Sequence, residues 1–109
     1  MLYVDEQQNI RLTRGDSGFF TISLTNAKGK PYVPQEGDSL RFAMGKTYGV
    51  TNALILKTIP MDTMTLEIEP SDTKELPFAK YKYDVELTDA QGHVTTVILG
   101  EFTVDKEVY

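Results

Sequence analysis

Lys80-Tyr81-Lys82-Tyr83-Asp84-Val85-Glu86-Leu87 carries the strictest alternation in the chain, and its reading decides the fold. Tyr81, Tyr83, Val85 and Leu87 share one face of an extended segment, and Lys80, Lys82, Asp84 and Glu86 share the other. Side chains repeat every two residues on a strand and every 3.6 on a helix, so this stretch predicts a strand with one core face and one wet face. After it, Asp89-Ala90-Gln91-Gly92 reads as a hairpin turn. A last strand from His93 to about Val104 follows, with a bulge or bend expected at Gly100.

The same period runs upstream. Strands are expected over Asn9 to Thr13, Phe19 to Thr25, Ser39 to Met44, Ala53 to Ile59 and Met64 to Glu69, the last two stopped by Pro60 and Pro70. The Gly15-Asp16-Ser17-Gly18, Asn26-Ala27-Lys28-Gly29 and Gly37-Asp38 segments supply turns. Ser71 to Leu76 reads as one helical turn, capped by Ser71 or Asp72 with Glu75 assisting. Seven strands with hairpin-type turns predict an all-β fold: a seven-stranded antiparallel Greek-key sandwich, immunoglobulin-like in outline, with one short helical turn near 71–76. A small open barrel is the alternative. Residues 1–109 read as a single β-sandwich domain.

Composition narrows the function classes. The 109 residues include no Cys, no Trp, one His, and 16 acidic against 11 basic side chains, a net charge of −5. Disulfides and thiolate metal sites are excluded, and the lack of Cys is compatible with a reducing cytosol. An acidic balance without a basic stripe argues against a nucleic-acid partner. The longest apolar run is Val97-Ile98-Leu99, far short of a membrane span, and Met1 to Asp5 carries no signal-peptide pattern.

Little catalytic equipment is written in the chain. His93, the only imidazole, flanks a hairpin turn, where histidine is ordinarily a solvated strand residue. No nucleophile elbow, phosphate loop or dinucleotide fingerprint occurs. Asp16, Asp38, Asp72 and Asp89 sit in turns that they brace, while Glu67, Glu69, Asp84 and Glu86 fall on solvent faces. No segment matches the calcium-loop pattern. Neither a catalytic residue nor a cofactor is expected. Arg14-Gly15-Asp16 matches an adhesion tripeptide, but a turn after the first strand accounts for all three residues. Lys80-Tyr81-Lys82-Tyr83 interleaves bases and aromatics, yet alternation sends the two kinds to opposite faces and breaks a single-strand nucleic-acid platform.

Two features remain open. Tyr81 is a candidate structural corner, its hydroxyl bonding back to the preceding bend, or else an amphipathic aromatic at the core edge. If Val94, Ile98, Phe102 and Val104 point inward, Val97 and Leu99 point outward, and Phe19 has outward parity on its own strand. Phe19, Val97 and Leu99 are therefore candidate protein-interface residues, the alternative being a longer buried strand.

The order of segments also carries a resemblance. Ile10-Arg11-Leu12-Thr13-Arg14-Gly15-Asp16-Ser17 leads into Phe20-Thr21-Ile22, a Gly-Lys-Pro-Tyr turn and Glu36-Gly37-Asp38-Ser39-Leu40-Arg41-Phe42. Later come Leu66-Glu67-Ile68-Glu69-Pro70-Ser71-Asp72-Thr73, Tyr81-Lys82-Tyr83-Asp84-Val85-Glu86-Leu87, Gly92-His93-Val94-Thr95-Thr96-Val97-Ile98 and Gly100-Glu101-Phe102-Thr103-Val104. From about Ile10 to Val108 the chain resembles small β-sandwich proteins of phage and prophage tail and baseplate regions in Gram-positive bacteria, in particular the N-terminal domain of baseplate upper proteins. That resemblance implies a non-catalytic structural role through contacts with other tail or baseplate subunits or as a homo-oligomer. It also implies synthesis in the bacterial cytoplasm and residence in the virion tail. A carbohydrate-binding module is the competing expectation, with platforms built from Tyr3, Tyr32, Tyr48 or Tyr109.

Overall fold

The computed structural model describes residues 2–26 and 28–106. Its order is β1 (Leu2–Val4), β2 (Ile10–Thr13), β3 (Gly18–Thr21), β4 (Ser39–Gly45), β5 (Ile55–Ile59), β6 (Thr65–Ile68), α1 (Pro70–Thr73), β7 (Ala79–Thr88) and β8 (Val94–Asp105). The expected all-β class is present. Six strands form one sheet in the order β1-β2-β8-β7-β4-β5, and β3 pairs with β6 in a second. No helix among the described residues is long and apolar enough to cross a membrane.

Two details of strand number and direction differ from expectation. Among the described residues there are eight strands rather than seven, because Leu2–Val4 pairs antiparallel with β2. Three residues are too few for an alternation to be legible. The larger sheet is mixed rather than antiparallel, since β2 runs parallel to β8, with Ile10 opposite Phe102 and Leu12 opposite Val104. Strand direction depends on where the chain crosses over, which side-chain periodicity does not encode.

Alternation places one core between the two sheets. Ile10, Leu12, Leu40, Phe42, Tyr83, Val85, Phe102 and Val104 from the larger sheet meet Phe20, Leu66 and Ile68 from the smaller one. The Tyr83 ring lies at the centre, 5.5 Å from Phe42 and in an edge contact at 6.5 Å with Phe20 across the sheets. Its hydroxyl donates to the Gln8 carbonyl in the β1–β2 turn. That turn is braced by Asp5, whose Oδ1 accepts from the Gln7 and Asn9 amides at 2.9 Å each.

Gly100 is a close-approach position rather than the expected bulge. It stands opposite Tyr83 in regular register, and a Cβ there would come within 2.6 Å of the Tyr83 ring and 2.8 Å of the Gln8 carbonyl. The irregularity falls at Val97, the extra residue between Ile98, opposite Val85, and Thr96, opposite Glu86. An extra residue reverses side-chain parity along the strand. Val94 is consequently exposed, and Val97 is partly buried against the core; both differ from the parity expected of an unbroken strand.

The helical turn also sits slightly earlier than expected. Glu69 is its N-cap and Pro70 opens it, a position where a missing N–H costs nothing. Asp72 Oδ2 accepts from the Glu69 amide at 2.7 Å and pairs with Lys57 Nζ at 2.6 Å.

Two measurements check this core. Gly100→Ala should lower stability by about 1–3 kcal/mol, the usual cost of overpacking; an unchanged urea midpoint would contradict the close approach. Burial, with a smaller contribution from Asp5, holds the Tyr83 hydroxyl pKa well above the ordinary tyrosine value. A raised folded-state pKa favours folding below the unfolded value of about 10 and loses that advantage as pH rises past it. Urea midpoints should therefore fall above about pH 10. Tyr83→Phe should flatten that alkaline slope while costing about 1–3 kcal/mol at neutral pH for the unpaired Gln8 carbonyl.

Candidate functional site

The outward face of the larger sheet is built by the same alternation as the core. One rung crosses four strands as Leu56, Ala43, Asp84 and Leu99. Strands lie about 4.7 Å apart, so the two leucines flank the central pair across about 14 Å.

Asp84 was expected on a wet face and is instead buried. The connection between β4 and β5 folds back over it, and the Gly49 amide donates to Asp84 Oδ2 at 2.8 Å. Gly49 has φ +93, which glycine adopts without a Cβ penalty. Arg41 completes the cluster. Its Nη1 lies 2.8 Å from Asp84 Oδ1, and its Nη2 lies 2.5 Å from Glu86 Oε1. The Arg41–Asp84 contact is an ion pair whose angles fall outside hydrogen-bond geometry.

Exposed apolar side chains share this outward face with Lys82, Glu86 and Glu101. Tyr48 and Val50 flank Gly49, Leu54 and Leu56 project outward from the edge at β5, and Leu99 projects from β8; each is about half exposed. Together they expose on the order of 500 Å² of apolar surface, comparable to the largest patch on an ordinary monomer. Leu99 was legible from strand parity. Tyr48 was considered only for sugar stacking, and Val50, Leu54 and Leu56 were not assigned, because a fold-back of the β4–β5 connection leaves no periodic signal.

The other sequence candidates lie elsewhere. Phe19 is 62% exposed on the outward face of β3, on the opposite side of the molecule from Leu99. Val97 packs against the core. Tyr81 is buried, and its hydroxyl donates to the Pro77 carbonyl at 2.7 Å, tying β7 to the bend before it.

Of the tyrosines considered for sugar stacking, the Tyr3 side chain and Tyr109 lie outside the described residues. Tyr32 donates to Asp38 Oδ2 at 2.5 Å before the start of β4, and Tyr48 follows its other end. Those two form no common platform.

Arg14 stacks on Phe78 at 4.1 Å and its Nη1 donates to the Leu76 carbonyl, while the Gly15 amide donates to Thr73. The tripeptide thus belongs to the fold. His93 is exposed, with Nδ1 3.0 Å from Asp89 Oδ2. The Asp89 carboxyl sits below the usual range, chiefly because it accepts the His93 backbone amide. Among the described residues no three His, Cys, Asp or Glu side chains converge as a metal-ligand group.

Comparison with protein-family models, curated proteins and solved structures finds no match for this chain.

The cluster makes a stability prediction. Removing one partner of a buried ion pair leaves the other uncompensated, so Arg41→Met should cost about 2–4 kcal/mol, discounted for partial exposure of the guanidinium. The double variant Arg41→Met with Asp84→Leu should recover much of that loss in urea unfolding. Additive losses would show that the pair is not coupled.

Proposed function

We propose that this chain is a non-catalytic assembly module of a phage or prophage tail or baseplate, acting through protein–protein contacts. The observation that carries the contact role is the set of half-exposed apolar side chains, Tyr48, Val50, Leu54, Leu56 and Leu99, on the sheet face and connection anchored by buried Asp84. A stable interface takes about 800 Å² from each partner, a little over half of it apolar, and this set supplies that apolar share. The Arg41–Asp84–Glu86 cluster holds the β4–β5 connection in place, so little ordering entropy remains to be lost on docking.

The virion setting rests on the resemblance of the segment order to baseplate upper proteins. A finer fold assignment goes with it. The two-sheet order and the Tyr81 bond to Pro77 favour an immunoglobulin-like Greek-key sandwich, from whose antiparallel plan the parallel pairing of β2 with β8 departs.

Light scattering on size-exclusion fractions at increasing concentration should show a defined oligomer. Leu56→Lys combined with Leu99→Lys should return it to a monomer while leaving stability within about 0.5 kcal/mol, as for other exposed changes. A monomer at every concentration would contradict self-association and leave another tail subunit as the partner. Tail-tape-measure and fibre genes beside this one are expected, and a neighbourhood without phage genes would contradict the virion assignment.

A further inference from the structure

The smaller sheet has only two strands, and β6 has β3 as its one hydrogen-bonded neighbour among the described residues. The Ile22 amide donates to the Met64 carbonyl. In the register that follows, Phe20 with Leu66 and Gly18 with Ile68 are the hydrogen-bonded pairs. The N–H and C=O groups of Thr65 and Glu67 therefore face away from β3; the Thr65 amide is taken up by Thr63 Oγ1 at 3.4 Å, which leaves the Thr65 carbonyl and both main-chain groups of Glu67 as the open edge. These groups face a groove of about 560 Å³ bounded by Lys57, Thr58 and Pro60 on one side and by Thr65, Glu67 and Glu69 on the other, with Phe19 also in its lining. The chain passes from β5 to β6 through Pro60 to Met64, where the Met64 amide donates to the Pro60 carbonyl. That tight reversal leaves no strand to occupy the groove.

We propose that this groove accepts an extended segment of a partner protein as a third strand on β6, and that the segment alternates basic with apolar side chains. An unpaired strand edge is a template for strand addition, in which main-chain bonds supply affinity and side chains supply selectivity. The charge of the groove sets that selectivity. Lys57 is already paired with Asp72, whereas Glu67 is exposed and no partner is found for its carboxylate among the described residues, and Glu69 extends the same acidic line. Basic residues opposite these positions gain a cross-strand pair. The intervening residues point the other way, to the face of Leu66 and Ile68, where apolar side chains continue the inward surface of the sheet. A second copy of this chain is the wrong occupant, because antiparallel pairing of β6 with itself sets the Glu67 and Glu69 carboxylates against one another.

The groove reaches β5 at Lys57 and Thr58, but the β6 edge belongs to the other sheet from Leu56 and Leu99, so its test stands apart from that of the assembly role. The probes are the capped hexapeptide Lys-Val-Lys-Val-Lys-Val, its Glu-Val counterpart, and the basic peptide with every backbone nitrogen methylated. Titration into the whole chain, followed by calorimetry and amide chemical shifts, should show binding of the basic peptide alone, with shifts centred on Thr65 and Glu67. Glu67→Gln should weaken it roughly three- to fivefold, the effect of one cross-strand charge pair. Equal binding of the methylated peptide would reduce the effect to net charge and overturn strand addition. Shifts centred on Leu56 and Leu99, or no binding at millimolar peptide, would overturn it as well, the latter leaving Glu67 and Glu69 as charges that protect the edge.

Discussion

The Asp84 carboxylate is buried on the outward side of β7, directly behind the Tyr83 ring, and both faces of the larger sheet are organised around that pair of neighbours. A buried charge is tolerated only when partners meet it. Arg41 arrives from β4 and the Gly49 amide from the β4–β5 connection, so satisfying one carboxylate fixes a strand register and a loop together. Glu86, one strand repeat away, shares the guanidinium and extends the cluster along the face.

On the inward side Tyr83 makes comparable demands. Its ring spans the gap between the sheets, its hydroxyl reaches the β1–β2 turn, and Gly100 must lack a side chain to let it pass. The core side is therefore closed and densely packed. The outward side is different in kind: Asp84 is covered, Arg41 and Glu86 stay partly exposed, and half-exposed Leu, Val and Tyr side chains share the surface with them. Apolar side chains held by a rigid ionic anchor make a surface suited to contact, because they are already positioned when a partner arrives. The acidic groove at β6 is a second surface with separate chemistry, main-chain groups and carboxylates in place of an apolar set.

Much of the fold was legible in the sequence, for a reason visible in β7 itself. Where one face is buried and the other is not, alternation names the strand and its inward residues, as it did for Tyr81, Tyr83 and Val85, and for Leu40 and Phe42 on β4. Pro60 and Pro70 marked ends because proline cannot continue a ladder. What escaped were effects of position in space. The parallel pairing of β2 with β8 depends on a crossover, and the bulge at Val97 is invisible to a pattern that assumes an unbroken count. Asp84 read as a wet residue because nothing in its own segment signals that another loop will fold over it. The apolar set escaped with it, since Tyr48 and Val50 reach that face only through Gly49.

Amide hydrogen exchange at Gly49 tests directly whether the buried carboxylate anchors the contact face. The Gly49 amide should exchange far more slowly than the flanking Tyr48 and Val50 amides, and Asp84→Asn should abolish much of that protection while the Phe42 and Val85 amides stay protected. Gly49 exchanging as fast as its neighbours in the parent chain would contradict the anchor, and with it a preformed contact face.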